Sequence, residues 1–150
     1  MGFSISNAAL RLVSGAFILN SGIGKLHLPP EHAAGLQASA QRVIPQAGKL
    51  TPEQFGRSLS ASEIALGVFL LTPFVPSRLA GLALGVFSGG LLATYLKTPG
   101  MTEPGSIRPT PAGTAMSKDI WLAGIAAALV FHRRRPARIR HTGLPSQNPG

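Results

Sequence analysis

The sequence contains no cysteine, so this chain carries neither disulfides nor thiol redox chemistry, whatever its compartment. Charge is sparse, at 13% of residues against about a quarter in ordinary soluble domains. Acidic residues are the scarcest: five Asp and Glu face fourteen Lys and Arg, for a net charge of +9. A basic excess can mark a nucleic-acid binder, but no basic stripe interleaved with aromatics is present, and that function is set aside. There is no GxGxxG, no P-loop and no HExxH segment to support dinucleotide, phosphate or zinc chemistry. His27 and His32 belong to one loop, and His132 and His141 follow the last apolar block. No two histidines are placed to ligate a haem or metal from mid-bundle.

What the chain has is apolar length. Its hydrophobic residues, 45% of the total, collect in four blocks near 8–24, 61–75, 79–96 and 120–131, separated by stretches rich in Pro, Gly and Thr. A soluble helix interleaves polar residues to make a wet face, whereas these blocks are apolar all round. Four such helices in 150 residues cannot all hide behind one another, and lipid is the better solvent for them. The first block has the charge order of a signal peptide, Arg11 before Leu12–Leu19. No small-x-small cleavage site follows it, so it is read as a retained helix. Met1–Ser6 fits the loose myristoylation pattern, which a spanning helix does not need.

A spanning helix needs about 20 residues. The first and third blocks meet this directly; the second and fourth are lengthened by start signals. Thr51-Pro52-Glu53-Gln54 is a capping box with Pro at the first helical position, followed by an exposed Glu53–Arg57 pair. Thr110-Pro111 offers a similar start, weakened by Gly113. The expected fold is all-α: an integral membrane four-helix bundle with helices near 8–25, 52–74, 78–97 and 111–132. A long loop separates the first two helices, and residues 133–150 form a basic, disordered tail. Pro73 and Pro76 force a tight reversal, making the second and third helices an antiparallel hairpin. Gly81, Gly85, Gly89 and Ala93, with Ser77, place a small residue at every fourth position, a ridge for close helix packing. Glu31–Ile44 reads as a weakly amphipathic helix that lies at the membrane surface or covers the bundle. Thr98–Pro109 reads as irregular.

Even crossings place both termini on one side. Seven basic residues fall on each side, but Arg133, Arg134, Arg135, Arg138 and Arg140 are concentrated directly after the fourth helix, as a membrane-surface anchor for anionic headgroups. The expectation is therefore N-in and C-in. In that arrangement Asn20, Lys25, Glu63, Tyr95, Lys118 and Asp119 converge on the outer end of the bundle beside Trp121. Their functional reading is a site for an amphipathic ligand such as a quinone. The simpler reading is an interfacial belt with snorkelling lysines and neutralising carboxylates, and it carries more weight. Arg11, one turn inside the first helix, is expected to snorkel to the inner surface.

Arg11-x3-Gly15-x6-Gly22-x2-Lys25, Glu63-x3-Gly67 and Lys118-Asp119 resemble the DoxX family of small bacterial inner-membrane proteins. The resemblance covers roughly Ala8–Phe131. It implies four membrane helices and association with quinone-linked or oxidative-stress oxidoreductase assemblies, and singles out Arg11, Lys25, Glu63 and Asp119 for testing. Partners would be the lipid bilayer and a redox protein or a second copy, with quinone as the one cofactor implied. The competing functions are a non-enzymatic scaffold associating through the Gly81–Gly89 ridge and a small-solute transporter, for which paired broken helices would be the sign.

Overall fold

The computed structural model describes residues 5–131; the basic tail, His132, His141 and the first four residues of the myristoylation pattern lie outside the described residues. Within them the chain is helical, with no strand beyond one isolated bridge between Thr102 and Pro109. The helices are α1 (Ile5–Gly24), α2 (Pro30–Gln41), α3 (Pro52–Leu71), α4 (Ser77–Lys97), α5 (Thr114–Ser117) and α6 (Ile120–Phe131), with a 3-10 segment at Pro45–Lys49.

Local chemistry explains several boundaries. Thr51 and Gln54 form the full capping box of α3: the Gln54 N–H donates to Thr51 Oγ1 at 3.2 Å, and the Thr51 N–H donates to Gln54 Oε1 at 3.0 Å. Glu53 and Arg57 on its first turns make no ion pair; an exposed i,i+4 pair is too weak to hold two long side chains together. The fourth segment departs from its expected start. Thr110 is drawn into the preceding loop, its N–H donating to Met101 O and its hydroxyl to Gly100 O. Helix begins only at Thr114, and a turn at Lys118 and Asp119 separates α5 from α6. The loop before it is more ordered than its three prolines suggest. Gly100 and Gly105 take φ values of 81° and 70°, which only glycine adopts readily. The Glu103 N–H donates to Arg108 O at 2.9 Å across the turn.

The helices pack as two antiparallel pairs, α1 with α3 and α4 with α6. The reversal at Pro73–Pro76 is present, yet the helices it joins do not make a packed hairpin. Each presents its small residues to another partner, and close backbone approach decides the pairing. In α1 and α3 the register is read from three glycines. A Cβ at Gly15 would stand 2.9 Å from Leu71, one at Gly22 would stand 2.8 Å from the Ile64 backbone, and one at Gly67 would stand 2.7 Å from the Leu19 backbone. In α4 and α6 a Cβ at Gly81 would meet the Val130 backbone at 2.9 Å. The expected ridge is therefore uneven. Gly81 is a true close contact, Gly85 leaves Ala126 at an ordinary 3.7 Å, and Gly89 has nothing within 4 Å. The pairs meet through a core of Ile18, Leu70, Ala80, Leu84, Leu122, Ala126 and Leu129. Phe17 and Trp121 add an edge-to-face contact at 5.2 Å between α1 and α6.

Two segments, Ser77–Lys97 and Thr114–Phe131, are long and apolar enough to cross a membrane. Both α1 and α3 have 20 residues. Their apolar content is diluted by Asn7, Arg11, Ser14, Ser60 and Glu63, and all five are buried.

Candidate functional site

The end of the α1/α3 pair where α1 stops holds the one ion pair among the described residues. Lys25 lies just past the end of α1, and Glu63 lies on the buried face of α3; Nζ and Oε2 are 2.8 Å apart. Two small neighbours allow it. Gly22 packs directly against Glu63 Cβ, and Ser60, one turn before Glu63, donates its hydroxyl to Gly22 O at 2.7 Å. The ammonium also donates to Ser21 Oγ at 2.6 Å and, less closely, to Ser21 O at 3.4 Å. Glu63 is 4% exposed, and the Lys25 side chain is 21% exposed. Removing a carboxylate from water this completely is costly unless a charged partner and hydrogen bonds replace the solvent. Asp119, at the turn between α5 and α6, lies within electrostatic range of both Lys25 and Glu63.

The remaining residues of the expected cluster do not join them. Asn20 is exposed on α1, and Lys118 points to the exterior. Tyr95 is buried and donates its hydroxyl to Ile107 O at 2.9 Å, pinning the 98–110 loop to the end of α4. The cluster reduces to Lys25, Glu63 and Asp119, with Ser21 as a neighbour that sequence reasoning did not single out. A sequence signal for Ser21 existed: it stands four residues before Lys25, one helical turn away.

The opposite end of the pair is built around Arg11, which turns inward where a snorkelling residue would reach the surface. It is 8% exposed, and its guanidinium turns inward onto the end of α3. Nε donates to Leu70 O at 2.8 Å and Nη1 to Val75 O at 2.7 Å; Nη2 donates to Thr72 O and, at 3.5 Å, to Phe69 O. The last carbonyls of a helix lack intrahelical donors and carry its negative dipole end, so a planar cation with five N–H groups suits them. Beside it Asn7 donates to Ser77 Oγ at 3.3 Å, joining the starts of α1 and α4.

Along α3 the buried residues are Gly56, Ser60, Glu63, Gly67 and Leu70. Their spacing of four, three, four and three is the seam of a packed helix pair. Sequence reasoning looked for small residues repeating on one helix and found α4. The tighter α1–α3 seam was legible as small and polar positions at that alternating spacing.

A second feature lies on the outside of the α4/α6 pair. Where Gly85 and Gly89 leave space, a groove of about 410 Å³ runs between the helices, lined by Gly81, Gly85, Gly89, Ala123, Ala126 and Val130 among others. The turn at Lys118 and Asp119 does not line it, and α1, α3 and α4 run uninterrupted.

The chain matches no family model, no curated protein and no solved structure. Along the α1–α3 seam Gly22 and Lys25 meet Glu63, Gly15 packs on Leu71, Gly67 packs on Leu19, and Arg11 donates to the end of α3.

Proposed function

We propose that this chain is a DoxX-like multi-pass protein of the bacterial inner membrane, with four crossings, both termini inside, and a role as membrane subunit or anchor of a redox assembly. The carrying observation is an apolar exterior enclosing buried polar groups. Serines, an arginine and a glutamate are buried between helices, while Leu12, Phe17, Leu82, Ile120 and Phe131 face outward and Val86 is 80% exposed. In water such an exterior would drive aggregation. In lipid it is the favourable surface, and internal satisfaction of polar groups is what the solvent demands. No buried side-chain donor or acceptor among the described residues lacks a partner.

The redox role rests on the resemblance together with the Lys25–Glu63–Asp119 cluster, which places polar groups at the outer end of an apolar body. Such an end suits the head of an amphipathic ligand such as a quinone. Lys25 is the residue that would hold a ligand carbonyl, by exchanging its long 3.4 Å contact to Ser21 O. Purification in gentle detergent followed by mass spectrometry tests this. A quinone or an oxidoreductase should co-purify and be lost in Lys25→Met. Recovery of neither would reject the redox role.

A scaffold function is favoured by a separate observation, the open groove at Gly85 and Gly89. If α4 associates there, Gly85→Leu and Gly89→Leu should abolish oligomers while leaving the chain folded. An unchanged oligomer profile would dismiss it.

A further inference from the structure

The segment between α1 and α3 is a folded lobe, and Gln37 organises it. Its side-chain amide is buried and donates to Ala47 O at 2.7 Å and Leu50 O at 2.8 Å, tying α2 to the 3-10 segment. Ala33 packs on Gly56, fixing the lobe against the first turns of α3. Having buried small and polar residues inside, the lobe leaves its large aliphatic ones outside: Leu26, Leu36, Ile44 and Leu50 are all exposed, Ile44 by 55%. Two of these stand beside exposed cations. Arg42 is two residues before Ile44, and Lys49 immediately precedes Leu50. Between positions 26 and 50 the sole carboxylate is Glu31. Ile23, near the end of α1, and Leu26, three residues on, are both exposed.

We infer that this lobe is a membrane-surface element, resting Ile44 and Leu50 in the interfacial layer while Arg42 and Lys49 bind phospholipid phosphates. The inference rests on the membrane reading above. An aliphatic side chain next to a long cationic one is the pairing an interface selects, because the first enters the hydrocarbon edge while the second reaches back to the phosphates. A cation near an anionic leaflet adds attraction that salt weakens. Charge complementarity, Arg42 and Lys49 beside exposed aliphatic residues with one carboxylate in the whole segment, favours lipid over a protein partner as the occupant.

The test uses the full chain in lipid nanodiscs. With Trp121→Phe as background, tryptophan is placed singly by Ile44→Trp, Leu50→Trp and, as a control on α4, Val86→Trp. Lipids brominated near the carbonyl end of the chain should quench the first two, and anionic lipid should blue-shift their emission further, a gain lost in Arg42→Glu/Lys49→Glu. Quenching at Val86 with none at Ile44 or Leu50 would overturn the inference and leave the membrane reading standing. No quenching at any site would overturn both. Because Trp121 packs on Phe17 and its replacement could disturb the fold, the unaltered protein is also labelled with a photoreactive phospholipid. Adducts between residues 42 and 50 support the inference. Labels confined to α4 and α6, or protection of the lobe gained only when another protein is added, reject it.

Discussion

The Lys25 ammonium and the Glu63 carboxylate, 2.8 Å apart, tie the end of α1 to the middle of α3. The carboxylate is the more deeply buried partner, so the pair is unequal: losing Lys25 strands a charge inside the seam, whereas losing Glu63 frees an ammonium that can turn to solvent.

Lys25→Met is therefore expected to cost about 3 kcal/mol, the lower end for breaking a buried pair, because Lys25 retains some solvent. Lys25→Met/Glu63→Leu should recover a substantial part of that loss. Thermal unfolding of the purified protein in detergent measures both. A double variant no more stable than Lys25→Met would contradict the stranded charge.

Arg11→Met should destabilise by roughly 3 kcal/mol, since several carbonyls at the end of α3 lose a charged donor at once. Arg11→Lys should restore only part of it, because an ammonium cannot reproduce the planar fork that spans Leu70, Thr72 and Val75. Mixed-micelle unfolding with sodium dodecyl sulfate would read the difference. Full rescue by lysine would mean that charge alone suffices there.

Alanine at different glycines should act with opposite sign. Gly67→Ala and Gly81→Ala drive a methyl into the opposing backbone and are expected to cost about 1–3 kcal/mol. Gly89→Ala meets open space and should be neutral or stabilising by up to about 1 kcal/mol, the helix-propensity gain. Melting temperatures of the three variants provide the comparison, and a loss at Gly89 matching that at Gly67 would show an additional neighbour on α4.

Val86→Lys separates lipid from water as the surrounding medium. At an exposed position of a soluble helix this change is nearly silent. At the centre of a spanning helix it costs about 2.5–3.5 kcal/mol. The share of protein resisting carbonate extraction should fall in this variant, and undiminished extraction resistance would argue against a lipid-facing α4.

Some of this protein could be read from residue order alone. The helical class, the start of α3 at Thr51-Pro52 and the reversal at Pro73–Pro76 depend on a few neighbouring residues, and their physics is complete within a turn of chain. The importance of Lys25 and Glu63 was legible as charge placed beside apolar blocks. Their contact was not, because a distance between residues 25 and 63 depends on which helices pair.

Pairing was decided in three dimensions. Proline placement suggests that α3 folds back along α4, yet the depth to which Gly15, Gly22 and Gly67 let two backbones approach favours α1 and α3 instead. The same choice turned Arg11 from an expected surface residue into the cap of α3, since beside that helix end its guanidinium reaches the carbonyls of Leu70, Thr72 and Val75 at once. It also closed the α4 ridge at Gly81 and left it open at Gly89. The sequence by itself determined which residues are apolar, small or charged and how they recur along each helix. Only the tertiary structure decided which seams face one another, because close packing rewards the match of two surfaces and no single helix carries both.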